Sequence, residues 1–358
     1  MHAASVLGNL RLPLVMRGLI LVTIAACADN TVTNPVLATG YIQAKLVGDN
    51  AAQGATIVDA SLVNPWGLAF SPGGTLWTSN NATGTSTLYN GAGVKQALVV
   101  AIPSATSATG GGAPTGVIFN STADFVIPGG TKASFIFASE DGTISGWNGG
   151  TVAKIVADKS ATGAVYKGLA FGTNAAANFL YATNFAKNKV DVFNATYQLV
   201  SSFTDPGVPA GYAPFGIQNI GGQLYVTFAK QKAPANKDDE PGVGNGYVDI
   251  FNTDGTLSKR LISNGRLNSP WGLALAPSTF GSAAGAILVG NFGDGLIGAY
   301  DAATGTFLGF LHDAANAPIT IGGLWGLMFS PVAGSTSLYF SAGPSGETHG
   351  LIGTIAPQ

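Results

Sequence analysis

The sequence offers few side chains suited to chemistry, and most of those are oxygen donors. Glu140 and Asp141 stand together, Asn184 and Asn291 each end the second apolar run of a repeated stretch, and Asn64 directly precedes the first run of another. Carboxylate and amide oxygens are the hard ligands that calcium prefers. Glu140, Asp141, Asn184 and Asn291 are therefore candidate ligands of one Ca²⁺ ion, and no other cofactor is indicated. The same residue types also serve as turn formers. Three histidines occur, of which His349 lies two residues after Glu347 and His312 directly precedes Asp313. A His-carboxylate pair is the minimal general base, but the chain has no G-x-S-x-G context and no metal-type histidine spacing. The densest charge lies in "AKQKAPANKDDEPGVGNG", residues 229–246, with Lys230, Lys232, Lys237, Asp238, Asp239 and Glu240. A long charged loop on a rigid scaffold reads either as a recognition element or as solvated chain.

What must position these residues is a repeat. "NPWGLAFSPGGTLWTSN" at 64–80 returns as "SPWGLALAPSTFGSAAGAILVGN" at 269–291. Four further copies align on the same glycine, giving Gly67, Gly116, Gly168, Gly216, Gly272 and Gly326. Each glycine opens an apolar run, followed by a second run, then a third that ends in an aromatic residue and Asn or Asp in five copies, then a fourth. Four strands in about fifty residues, repeated, is the pattern of β-propeller blades. The sixth copy lacks its fourth run, and "GYIQAKLVG" at 40–48 supplies one ahead of the first copy. The fold expected is all-β: a six-bladed β-propeller of four antiparallel strands per blade, its last blade closed by the N-terminal strand. Closure of that kind removes open sheet edges. Trp66, Trp271 and Trp325 are expected to wedge between blades, with a ligand-binding aromatic ring as the other reading.

Strand polarity gathers Asn64, Asn80, Asn81, Glu140, Asp141, Asn184, Lys230, Asn268, Asn291, Asp294, Glu347 and His349 on one face, at the channel mouth. The opposite face is expected to hold hairpin turns such as "SPGG" at 71–74, with nothing reactive.

Composition narrows the partners. Of 358 residues, 9% are charged and the formal net charge is -2, with no basic stripe, so no nucleic-acid partner is expected. At the N-terminus, Arg11 and Arg17 precede "GLILVTIAA", 18–26, which has the length of a secretory h-region rather than of a membrane span. The single cysteine, Cys27, closes "IAAC", which resembles the lipobox of bacterial lipoproteins. The expected division is a signal peptide over 1–26, a tether over 27–39 and the propeller over 40–358. The mature protein is expected at the cell envelope, lipid-anchored and monomeric.

The blade pattern resembles NHL-repeat and gluconolactonase-like six-bladed propellers. More closely, "LVNPWGLAFSPGGTLWTSNNATGTSTLYN", 62–90, resembles an uncharacterised family of exported bacterial proteins, some of which carry a PEP-CTERM sorting tail. The resemblance spans about Tyr41 to Pro357. This chain departs from those members in ending at "IAPQ", in keeping with an anchor at Cys27. Resemblance to gluconolactonases implies a metal ringed by Glu, Asn and Asp, but Asn64 or Pro65 stands where their first-strand glutamate is expected. The leading functional expectation is a non-catalytic binding or scaffold protein that offers its mouth to a protein, glycan or small ligand. The alternative is a calcium-assisted hydrolase of the lactonase type.

Overall fold

Glycine at the head of each repeat decides how closely the blades can approach. The computed structural model describes residues 1–2 and 35–358. All but the first two residues of the expected signal segment, together with Cys27 and most of the expected tether, lie outside the described residues. From Pro35 onward the chain is one compact unit of six blades, each with four antiparallel strands, set around an axis. The closing sheet adds a short parallel strand, Ile57–Val58, at its outer edge, and two two-stranded ribbons lie outside the blades. The innermost strands are Pro65–Phe70, Pro114–Phe119, Tyr166–Asn174, Tyr212–Ile220, Pro270–Leu275 and Leu324–Phe329. They define blades 1 to 6. A Cβ on Gly67 would lie 2.5 Å from Thr115 O, one on Gly216 2.1 Å from Trp271 O, one on Gly272 2.5 Å from Trp325 O and one on Gly326 2.7 Å from Trp66 O. Each blade thus abuts the backbone of the next, and the last abuts the first. Only a residue without Cβ permits this approach.

Blade 6 closes as its missing run requires. The strand Tyr41–Gly48 pairs antiparallel with Leu351–Pro357, from Tyr41 opposite Pro357 to Gly48 opposite Leu351. Ahead of it, Leu37 is buried, and Thr39 N donates to Ser282 Oγ at 2.9 Å. The end of the expected tether is therefore packed on blade 5.

In every blade the ladder between the first and second strands slips by one residue beside the ring glycine. Pro65 faces Asn80 while Leu68 faces Thr78, and the same offset recurs in the other five. Such a bulge bends the strand and re-aims one side chain. Here the re-aimed residues precede the glycine: Trp66, Thr115, Lys167, Phe215, Trp271 and Trp325.

Candidate functional site

The bulges correct the expectation for the tryptophans. Trp66, Trp271 and Trp325 come from blades 1, 5 and 6, yet they meet one another rather than wedging between separate blade pairs. Trp66 stacks on Trp325 with centroids 3.6 Å apart, and Trp271 meets both edge-on at 6.1 and 5.8 Å. Phe215 of blade 4 and Phe292 join them. Side chains from non-adjacent blades touch only on the axis, so this cluster plugs the channel. All three tryptophans are buried, so the indoles form a floor rather than an open aromatic ring.

On that floor sits a polar cluster. Lys167, from the equivalent position of blade 3, is 3% exposed, and its Nζ lies 5.0 Å from the Trp66 ring centroid. It donates to Glu140 Oε1, and to Asp238 Oδ1 at 3.4 Å. Asn81 Nδ2 donates to the other Glu140 oxygen at 3.0 Å. Asn64 ties this group to the floor and to the last blade. Its Oδ1 accepts from Trp325 Nε1 at 3.0 Å, while its Nδ2 donates to Glu347 Oε2 at 2.8 Å. Asn64 and Glu347 both hold left-handed backbone, with φ of 50° and 67°. Such conformations are costly for residues with a Cβ, mildly so for Asn and more for Glu, and persist where the surroundings fix them.

The loop at 229–246 is ordered over this mouth. Lys232 N donates to Asp238 O and Glu240 N to Lys230 O, both at 2.8 Å. Lys230 pairs with Glu240 at 2.7 Å, and Gly242 N donates to Asn268 Oδ1. The fold of the loop brings Asp238 to Lys167 and places Asp239 Oδ2 in a buried position where it has no hydrogen-bond partner among the described residues.

Charge follows burial here. Burial raises the Glu347 carboxyl above its ordinary range, and Glu140 and Asp239 raise it further against Asn64 and Lys167. Burial likewise raises Asp239. Burial alone would lower the Lys167 ammonium, but Glu140 and Asp238 outweigh it and hold the proton more firmly. The mouth therefore holds four carboxylates, Glu140, Asp238, Asp239 and Glu347, around one ammonium.

Other expected site residues serve their own blades. Asp141 accepts from Ala105 N at 2.7 Å and from Thr143 Oγ1 at 2.7 Å. Asn184 binds Asp191 and Val165 N. Asn291 accepts from Asn268 N and donates to Arg266 O. Asn80 is buried among Thr78, Thr85 and Thr87. Of the four expected calcium ligands, only Glu140 belongs to the axial cluster. Among the described residues no three His, Cys, Asp or Glu side chains are grouped to hold a metal. His349 pairs with Asp49 at 2.8 Å rather than with Glu347. The His312 ring nitrogens face Leu37 O and Asp313 O, so this ring is a strut for the N-terminal segment.

Lys167 was not among the expected site residues. Its signal lies in the repeat: the position before the ring glycine is aromatic in four copies, and lysine is its only charged occupant.

No family model matches the chain. The "Uncharacterized protein R648" of Acanthamoeba polyphaga mimivirus is 33% identical over 349 residues, covering 93% of this chain and 85% of that protein. A second mimivirus protein, "Uncharacterized protein L690", is 32% identical over 314 residues, covering 83% and 81%. The chain belongs to the family of these proteins. Among solved structures, a gluconolactonase from Xanthomonas campestris shares 13% identity with a TM-score of 0.53, covering 91% of this chain and 97% of its own. A streptogramin B lyase shares 15% with a TM-score of 0.52, covering 89% and 97%. At such identities the likeness shows the propeller fold alone.

Proposed function

We propose that this chain is a non-catalytic binding protein whose channel mouth takes a positively charged group of its partner, an amine or a guanidinium. The supporting observation is the excess of carboxylate around Lys167 on a sealed aromatic floor. Glu140 and Asp238 are already engaged by that internal ammonium, whereas among the described residues no cation is bonded to Asp239 or Glu347. An incoming cation gains charge-assisted hydrogen bonds from the latter two. In this reading the protein is exported and held at a cell envelope through Cys27, and acts as a monomer. The export and the anchor rest on the sequence around Cys27.

A hydrolytic reading is favoured by one observation, the raised carboxyl of Glu347 on left-handed backbone, a combination found at acid-base sites.

Calorimetric titration with spermidine separates the two. Binding is expected in the purified propeller, weakened about tenfold by Glu347→Gln through loss of a charged hydrogen bond and weakened by salt. It also weakens on acidification, because a carboxyl with a raised pKa takes up its proton at higher pH and ceases to attract a cation. Equal affinity in Glu347→Gln refutes the cation site, and turnover of a lactone panel that Glu347→Gln abolishes favours hydrolysis. The anchor has its own check, release of Cys27→Ala from the membrane fraction.

A further inference from the structure

The end of the channel away from the mouth is not empty of function-bearing shape. The third residue after each ring glycine is Phe70, Phe119, Phe171, Asn219, Leu275 and Phe329 in turn. The four phenylalanines, with Ile118 and Met328, line a hollow of about 260 Å³ on the face of the first-to-second-strand turns. Toward the axis it narrows to a space of about 30 Å³ bordered by ring glycines and Trp271. There the tryptophan plug closes it. The hollow is thus blind and separated from the acidic mouth, so nothing about it depends on the reading of that mouth.

None of its lining residues is charged. Its polar side chains are those of Gln218 and Asn219. Asn219 is committed, donating to Phe171 O at 2.8 Å and accepting from Gly222 N at 3.0 Å. Gln218 borders both the hollow and the narrow space above it, and its amide is the group left to meet a ligand.

We propose that this hollow binds a small neutral ring compound carrying one hydroxyl or amide group. Its ring would sit among Phe70, Phe119, Phe171 and Phe329, and its polar atom would meet Gln218. Size selects this class. An apolar cavity of about 150 Å³ admits benzene, so 260 Å³ admits a substituted ring, while pockets for drug-sized ligands measure roughly 300–1,000 Å³. The lining selects it as well. Phenyl edges and faces favour a ring over a flexible chain, and a charged ligand would lose its hydration without compensation. A lone amide at the narrow end adds orientation at little cost.

Phenol and toluene are the probes, followed by saturation-transfer NMR and calorimetry on the chain from Pro35 onward. Both are expected to bind. Gln218→Leu is expected to weaken phenol about fivefold to tenfold, the worth of one neutral hydrogen bond, and to leave toluene within about twofold. Ile118→Trp, which projects into the hollow, is expected to abolish both; Met328→Trp does the same if the first variant melts early. Failure of both probes to bind overturns the proposal. So does equal weakening of phenol and toluene by Gln218→Leu, or full binding in a natively melting filled variant. A concentration-dependent dimer that excludes both probes assigns the face to a second copy instead, and also overturns it.

Discussion

Lys167 and Glu140 form an unequal pair. The ammonium is buried against Trp66, whereas Glu140 is 28% exposed and Asp238 is 73% exposed. Removing either partner therefore has different consequences. Glu140→Gln leaves a desolvated cation bonded only to Asp238, a carboxylate that water screens, and a poorly compensated buried charge costs about 3 kcal/mol. Lys167→Met keeps the stem packed on the indole and leaves its two bonded partners, Glu140 and Asp238, able to hydrate, with a loss of about 1 kcal/mol, as for an exposed pair. Scanning calorimetry on the two variants should show the glutamine variant melting lower. The reverse order means that Lys167 is held by something other than Glu140. Trp271 Nε1, which donates to Lys167 O at 3.0 Å, fixes only the backbone there and would not protect the charge.

At the scale of strands, the bulge and the ring glycine act as one device. The glycine lets neighbouring backbones touch, and the extra residue before it turns a side chain onto the axis. Gly216→Ala places a Cβ 2.1 Å from a backbone oxygen of blade 5, which cannot retreat without moving the blade. A loss of about 3 kcal/mol is expected, at the upper end of overpacking penalties. Gly322→Ala meets nothing within 4 Å and should change stability by less than about 0.5 kcal/mol. Denaturant midpoints that fall equally for both would remove the glycine ring from the account of blade packing. The same device explains what could be read in advance. Strands covered on both sides are apolar at every position, so their number, order and closing partner stand out along the chain. For the same reason a one-residue slip leaves no mark on the pattern, and the inward turn of Trp66, Trp271 and Trp325 was invisible. The engagement of Asn184 and Asn291 inside their own blades was hidden differently. Residue type announces an oxygen donor, but not that backbone NH groups such as Val165 N and Asn268 N already occupy it. Glu347 was legible as a residue of the mouth. Its bond to Asn64, across 283 positions of sequence, depends on the ring being closed.

Closure is what makes the six sheets one molecule. The strand Tyr41–Gly48 gives blade 6 its fourth member, and Tyr41 and Val47 within it are fully buried. Tyr41 also reaches blade 5, donating through its hydroxyl to Phe280 O and packing on the Phe280 ring at 5.0 Å. Two such side chains contribute about 1.5–3 kcal/mol each, a large share of the roughly 5–15 kcal/mol by which a domain is stable. A chain beginning after Gly48 also leaves Leu351–Pro357 as an open edge, inviting association. That truncation is expected to lose its single cooperative melt and to aggregate, whereas a chain beginning at Pro35 melts as the full sequence does. Adding a peptide of residues 40–58 to the longer truncation should restore the melt saturably, because the register from Tyr41–Pro357 to Gly48–Leu351 specifies one docking position. A truncation that melts cooperatively without the peptide would mean that five complete blades and one open sheet hold the ring by lateral packing alone. The axial mouth, with Asn64 on one side of the seam and Glu347 on the other, would then have to survive the loss of the closing strand as well.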